Sequence, residues 1–109
     1  MSLLVGEMTN LRELARGKPC MIRLPGCTGG GEDTVLAHYR MAGLCGVGQK
    51  PPDVCGAWAC HVCHDHVDRR VRALDLDFVR LAHADGVMRT LARLVADGLI
   101  FCAGTVDKR

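Results

Sequence analysis

Seven residues have the types and spacing that chemistry needs: Cys20, Cys27, Cys60 and Cys63, with His38, His64 and Asp68. Cys60 and Cys63 form a C-x-x-C pair inside the run ACHVCHDHVD, residues 59–68. Such a run admits three readings: haem attachment through C-x-x-C-H, a redox dithiol, or half of a zinc site. A structural zinc ion takes four ligands, supplied as two close pairs on either side of a connecting element, with sulfur about 2.3 Å from the metal. Cys20 and Cys27 make the second pair. Their six intervening residues exceed the usual two to four, but Pro25-Gly26 folds the loop back so that both can face one ion. Haem attachment needs an oxidising compartment and leaves Cys20 and Cys27 without a purpose, and a redox dithiol belongs to a βαβ alternation that this chain lacks. The expected site is four-cysteine zinc. Cys55 is the substitute ligand to consider, and Cys45 and Cys102 read as buried or idle thiols.

His64 follows Cys63 directly, and Asp68 follows His64 by four residues. On a helix that spacing places both side chains on one face, where they can share a second, divalent cation such as Mg²⁺. Imidazole and carboxylate, with the other positions left to water and phosphate, make an open site of the catalytic type. A neutral His38 on a neighbouring strand can deprotonate a water for attack on a phosphodiester. Together these define a ββα-metal nuclease, with His38 and His64 as catalytic residues and Arg40, Lys50, Arg69, Arg70 and Arg72 lining a nucleic-acid groove. The plainer alternative is that His64 and Asp68 make a surface pair, or pair with Arg69 or Arg72, which contributes little. His61 and His66 are expected to face solvent, and His83 to have no particular role.

The elements that must position these groups are legible in outline. Asn10 and Glu13 read as a capping box opening a short helix, LRELARG, which Gly17 closes. PCMIRLPGCTGGGED is a loop with a knuckle. TVLAHYR reads as a strand carrying His38, and AWA as a short return strand after an irregular Gly- and Pro-rich segment. Residues from about Cys60 to Ala73 are expected to be helical. DLDFVRLAHADGVMRTLARLVADG predicts a long helix, capped by Asp75 or Asp77 and ended by Gly98, with Leu81, Met88, Leu91 and Val95 as its apolar side. LIFCAGT predicts a last strand. The fold class is α+β, a zinc-stabilised treble-clef core at about 18–73 with an N-terminal helix and a C-terminal helix at about 75–98.

Composition bounds the rest. The chain has 109 residues, a net charge of +2 and seven cysteines. This length makes one domain with a modest core, expected over 9–109, with 1–8 as a leader that carries no fold. An odd cysteine count without a signal peptide argues for reduced thiols in the cytoplasm. No stretch approaches the ~18 apolar residues of a membrane span. Charge alone does not mark a nucleic-acid binder, although Arg12, Arg16, Lys18 and Arg23 form a local basic patch.

Beyond this reading, the pattern His38, Cys60-x-x-Cys63-His64 resembles the HNH, or His-Me finger, endonucleases. LRELARGKPC, VLAHYRMAGLCGVGQKPPD and ACHVCHDHVDRR resemble the YbcO-like nucleases encoded by lambdoid prophages, strongly over about residues 10–70 and more loosely along the C-terminal helix. The resemblance implies a phage recombination-type nuclease with structural zinc and a catalytic divalent cation, acting on DNA, including branched or single-stranded forms. It matches His38 to the general base, His64 to the final metal-binding histidine, and Cys60 and Cys63 to the clef cysteines. Two positions depart from the pattern. Ala37 stands where many HNH sequences have a ligating Asp, and no orienting Asn is evident between Asp53 and Ala59. Asp68 is the expected replacement for the first; Asp53 or a backbone carbonyl is expected to orient His38. A domain of this kind cuts one strand per site, so double-strand cleavage would need a homodimer or a partner. The competing class is a zinc-stabilised nucleic-acid or protein binding module without catalysis.

Overall fold

The computed structural model describes residues 10–46 and 48–100; the expected leader and most of the expected LIFCAGT strand, with Cys102, lie outside them. Asn10 opens helix α1 (Leu11–Leu14), its Oδ1 accepting from the backbone N–H of Arg12 at 3.1 Å and of Glu13 at 3.2 Å. Those bonds satisfy donors that a helix start leaves free. An irregular segment holding Cys20 and Cys27 leads to strand β1 (Val35–His38), which pairs antiparallel with β2 (Gly56–Ala59). The register sets Leu36 opposite Trp58 and His38 opposite Gly56. A two-stranded ribbon is marginal by itself, so its outer edge must be covered. Trp58 donates its N–H to Thr90 Oγ1 at 3.0 Å, and its carbonyl accepts from Met21 N at 2.8 Å.

Helix α2 (His61–Val67) follows at once, with Cys60 as its N-cap. It stops six residues before the expected end at Ala73. Arg69 adopts a left-handed backbone at φ 63°, and the N–H groups of Arg69 and Arg70 return to the carbonyls of His66 and Asp65 at 3.1 and 3.0 Å. This is the Schellman ending, in which the residue after the C-cap turns left-handed and closes off the last carbonyls. Helix α3 (Leu76–Ala96) starts at Asp75, whose Oδ2 accepts from Phe78 N at 3.1 Å. It ends in the same motif, with Gly98 at φ 73°.

The face of α3 that packs is not the one its greasiest residues suggest. Its buried line is Val79, His83, Gly86, Thr90 and Leu94, whereas Leu81 and Met88 are 63% exposed and Val95 53%. Close approach explains the difference. A Cβ on Gly86 would stand 2.9 Å from Ile22 Cγ1 and 3.2 Å from Ala57 Cβ, so small residues meet small ones where α3 crosses β2. Gly86→Ala should therefore destabilise the protein by about 1–2 kcal/mol in chemical denaturation, because overpacking of roughly 1–3 kcal/mol outweighs roughly 1 kcal/mol of helix propensity. An unchanged or raised midpoint would show that the crossing has slack.

The core has two parts. One surrounds the cysteines, with Ile22, Leu24, Ala57 and Val79; the other surrounds Trp58, with Leu11, Met21, Leu36 and Leu94. Among the described residues no helix is long and apolar enough to cross a membrane.

Candidate metal site and the adjoining cleft

Where the Cys20–Cys27 loop meets the start of α2, the Sγ atoms of Cys20, Cys27, Cys60 and Cys63 all lie within 4.8 Å of one another. Sulfurs about 2.3 Å from a metal in a regular tetrahedron stand about 3.8 Å apart, and Cys27 and Cys60 are at 3.9 Å. The surroundings suit thiolates. Leu24 N donates to Cys63 Sγ at 3.4 Å, Thr28 N and Cys63 N each to Cys60 Sγ at 3.5 Å, and Gly29 N to Cys27 Sγ at 3.3 Å. Hydrogen bonding from Cys63, aided by backbone N–H groups, pulls the Cys20 thiol down to about 4. Its donor role toward Cys20, together with burial, pushes Cys63 up. These four cysteines can hold a metal ion, and the long Cys20–Cys27 spacing is no obstacle because Gly30, at φ 93° and with no room for a Cβ beside Cys20 N, lets the loop double back. Cys45 and Cys55 are free and outside the cluster.

His38 ends β1 with its side chain 10% exposed, and its Nε2 lies 2.7 Å from Asp53 Oδ1. Asp53 opens a short 3-10 turn (Asp53–Cys55) that delivers the chain into β2, and its other oxygen is 3.7 Å from Arg12 Nε. A neutral His38 that donates Nε2–H to this carboxylate would keep its lone pair on Nδ1. His64 Nε2 and Asp68 Oδ2 are 3.3 Å apart, on one face of α2 as the spacing predicts, and Arg70 also reaches Asp68 Oδ2 at 3.5 Å. Among the described residues, only the four cysteines bring three or more metal-ligating groups this close together. His38, His64 and Asp68 do not converge on one point to that degree.

A cleft of about 100 Å³ lies between β1, the end of α2 and the first turns of α3, lined by His38, Arg40, Val67, Asp68, Arg69, Leu76, Val79, Arg80 and His83. Of the expected groove residues, Arg40 and Arg69 line it. Arg70 pairs with Asp65 and Asp68, Arg72 donates from Nε to the Arg69 carbonyl at 3.1 Å, and Lys50 is exposed on the loop before Asp53.

Of the other histidines, His61 faces solvent as expected and His66 does not. His61 is exposed and shares a hydrogen bond with Asp33, whose carboxylate raises the His61 pKa; the same oxygen accepts His61 N at 3.1 Å and pins the glycine loop to α2. His66 is buried, not solvent-facing, because it lies one turn beyond Cys63 on the inward face. His83 is buried, its Nε2–H donates to the Ala37 carbonyl at 2.9 Å, and Tyr39 meets its ring edge-on. Burial pushes its pKa down. Arg80 donates to Tyr39 Oη at 3.0 Å and lies over that ring. His83 and Arg80 brace the strand end that carries His38. Their four-residue spacing from Val79 and Ala84, respectively, gave no signal, since neither neighbour marks a polar face.

These features define a class: a small α+β chain whose loops converge on a four-cysteine cluster able to hold a metal ion, next to a basic cleft. Within that class, the chain belongs to the YbcO family, whose model, described as "Putative nuclease YbcO", matches residues 9–99. It is 44% identical over 94 residues to the proteins of that description from Escherichia coli strain K12 and from Enterobacteria phage 82, covering 85% of this chain and 98% of each relative. It is also similar to a solved structure described as a putative bacteriophage protein from Escherichia coli K-12, with a TM-score of 0.69 and 37% identity over 82% of this chain and all of that one.

Proposed function

We propose that the protein is a metal-dependent DNA endonuclease of the HNH type, a treble-clef zinc fold that hydrolyses phosphodiester bonds in prophage recombination or DNA processing. The observation that carries this reading is the His38–Asp53 pair, at 2.7 Å, on the wall of a cleft that also holds Asp68 and arginines. The nuclease description of the relatives supports it. Cys20, Cys27, Cys60 and Cys63 would hold the structural zinc; His64 and Asp68 would hold the catalytic divalent cation, Asp68 standing in for the ligand that Ala37 does not supply. Ala37 is 2% exposed and built into the core, so a carboxylate has no place there.

His38 accepts the proton of the attacking water at Nδ1. Asp53 fixes the ring through Nε2–H and stabilises the imidazolium that results. Arg40, Arg69 and the neighbouring Lys50, Arg70 and Arg72 draw the DNA backbone to the cleft. A bound cation adds stabilisation of charge on the phosphate and leaving oxygen.

The test is purified protein with supercoiled and branched DNA, with and without Mg²⁺, Mn²⁺ or Ni²⁺. Metal-dependent cutting is expected; binding without cutting under every condition would mark a binding module instead. Asp53→Asn should slow cutting on the order of 100-fold while leaving the melting temperature nearly unchanged, since a neutral amide no longer dictates the tautomer of the base. Full activity in that variant would mean that Asp53 only packs against His38.

A further inference from the structure

We infer that Arg69 is a clamp for one phosphate of the substrate backbone, its guanidinium aimed at the non-bridging oxygens beside His38. The inference rests on the endonuclease reading and gives that site its substrate contact. Three observations converge on this residue.

Arg69 occupies the left-handed position that ends α2, at φ 63°, where the equivalent position after α3 is Gly98 at φ 73°. For any residue with a Cβ that backbone is strained, and glycine would hold it at no steric cost. The side chain then lines the cleft, and its Nη1 is buried without a hydrogen-bond partner. Asp68, the adjacent carboxylate, is shared between His64 at 3.3 Å and Arg70 at 3.5 Å, and among the described residues Arg69 enters no ion pair. A buried, charged donor left unmade is costly in a folded chain. Strain and an unsatisfied donor on one residue, in one cleft with a candidate base, point to a functional contact.

The cleft's dimensions say what that ligand is. At about 100 Å³ it is smaller than the roughly 300–1,000 Å³ that encloses a drug-sized molecule and larger than the roughly 30 Å³ share of a water. A phosphate group of a longer chain lying across the cleft suits that scale. The guanidinium fork matches phosphate oxygens. The other cleft arginines, Arg40 and Arg80, are exposed; Arg80 already donates to Tyr39 and to the Arg40 carbonyl at 3.4 Å, and His83 donates to Ala37. Arg69 has the donor to spare.

Arg69→Gly separates function from folding, because the substitution relieves the backbone while removing the clamp. With zinc-loaded protein, the variant should melt no lower than wild type and about 2–5 °C higher. Its single-turnover cleavage should fall on the order of 100-fold, as expected for losing one charged donor to a transition state. Inorganic phosphate, added without divalent cation, should raise the melting temperature of wild type but not of Arg69→Gly, with Arg69→Lys in between. Undiminished cutting, retained protection by phosphate, or a lowered melting temperature in Arg69→Gly would each overturn the clamp. If wild type cuts no DNA, the endonuclease reading fails, and the phosphate titration still decides whether Arg69 is an anion clamp.

Discussion

Cys63→Ser should abolish the cooperative unfolding transition of the reduced protein or lower its melting temperature by tens of degrees, and a strong chelator should do the same to wild type. The proposed zinc ion is the reason. Cys63 and Cys60 are fully buried at the centre of the larger core cluster, against Ile22, Leu24 and Val79. The Cys20–Cys27 loop has little regular structure and is held to α2 by its sulfurs and their N–H donors. Binding of structural zinc is worth about 10–16 kcal/mol in small peptides, which matches or exceeds the ~5–15 kcal/mol that holds a whole domain together. With two phenylalanines, one tyrosine and one tryptophan in 109 residues, the apolar core has little in reserve. Cys45→Ser, outside the cluster, should shift stability by less than about 0.5 kcal/mol. Metal analysis should find one zinc per chain in wild type. A folded, reduced sample without zinc, melting cooperatively, would reduce the four cysteines to ordinary packing.

That cluster was legible because metal ligation writes itself into sequence as residue type and spacing: Cys60-x-x-Cys63, with Cys20 and Cys27 on either side of a Pro-Gly turn. The order of elements was equally legible, since Asn10, Asp75 and Gly98 mark helix boundaries by local chemistry alone. Asp53, one of two candidates for orienting His38, does lie against it. What the sequence hid was set by distance between elements. Periodicity on α3 ranks Leu81, Met88 and Val95 as the inward face, yet the real one carries His83, Gly86 and Thr90, because closeness to β2 selects for small volume and a hydroxyl that can meet Trp58 N. The end of α2 was hidden for a related reason. Nothing in DHVDRRVRA announces a left-handed residue, since the position that usually calls for glycine holds Arg69. His66 was misplaced, and His83 passed over, because a histidine's neighbours along the chain do not reveal what packs over it.

His38→Ala should lower the metal-dependent cleavage rate on the order of 1,000-fold, within the roughly 10²–10⁴ range that a positioned general base contributes. The fold should survive, because Asp53, 39% exposed in its side chain, keeps water and Arg12 as partners; a loss of about 1 kcal/mol is expected for the hydrogen bond. The deciding comparison is with His64→Ala. His64 would act by holding the cation with Asp68, so its loss should appear as weakened metal affinity, and raising the Mg²⁺ or Mn²⁺ concentration should restore much of the rate. Excess cation should not rescue His38→Ala, where the proposed loss is a proton acceptor and not a ligand. Reversed behaviour, with His38→Ala rescued and His64→Ala not, would exchange the two roles. Cutting that persists unchanged in His38→Ala would remove the base from β1 altogether and leave the cleft as a binding surface. The geometry argues against that last outcome: Asp53 is carried on a turn that enters β2 directly opposite His38, which holds the ring at a strand end that lines the cleft.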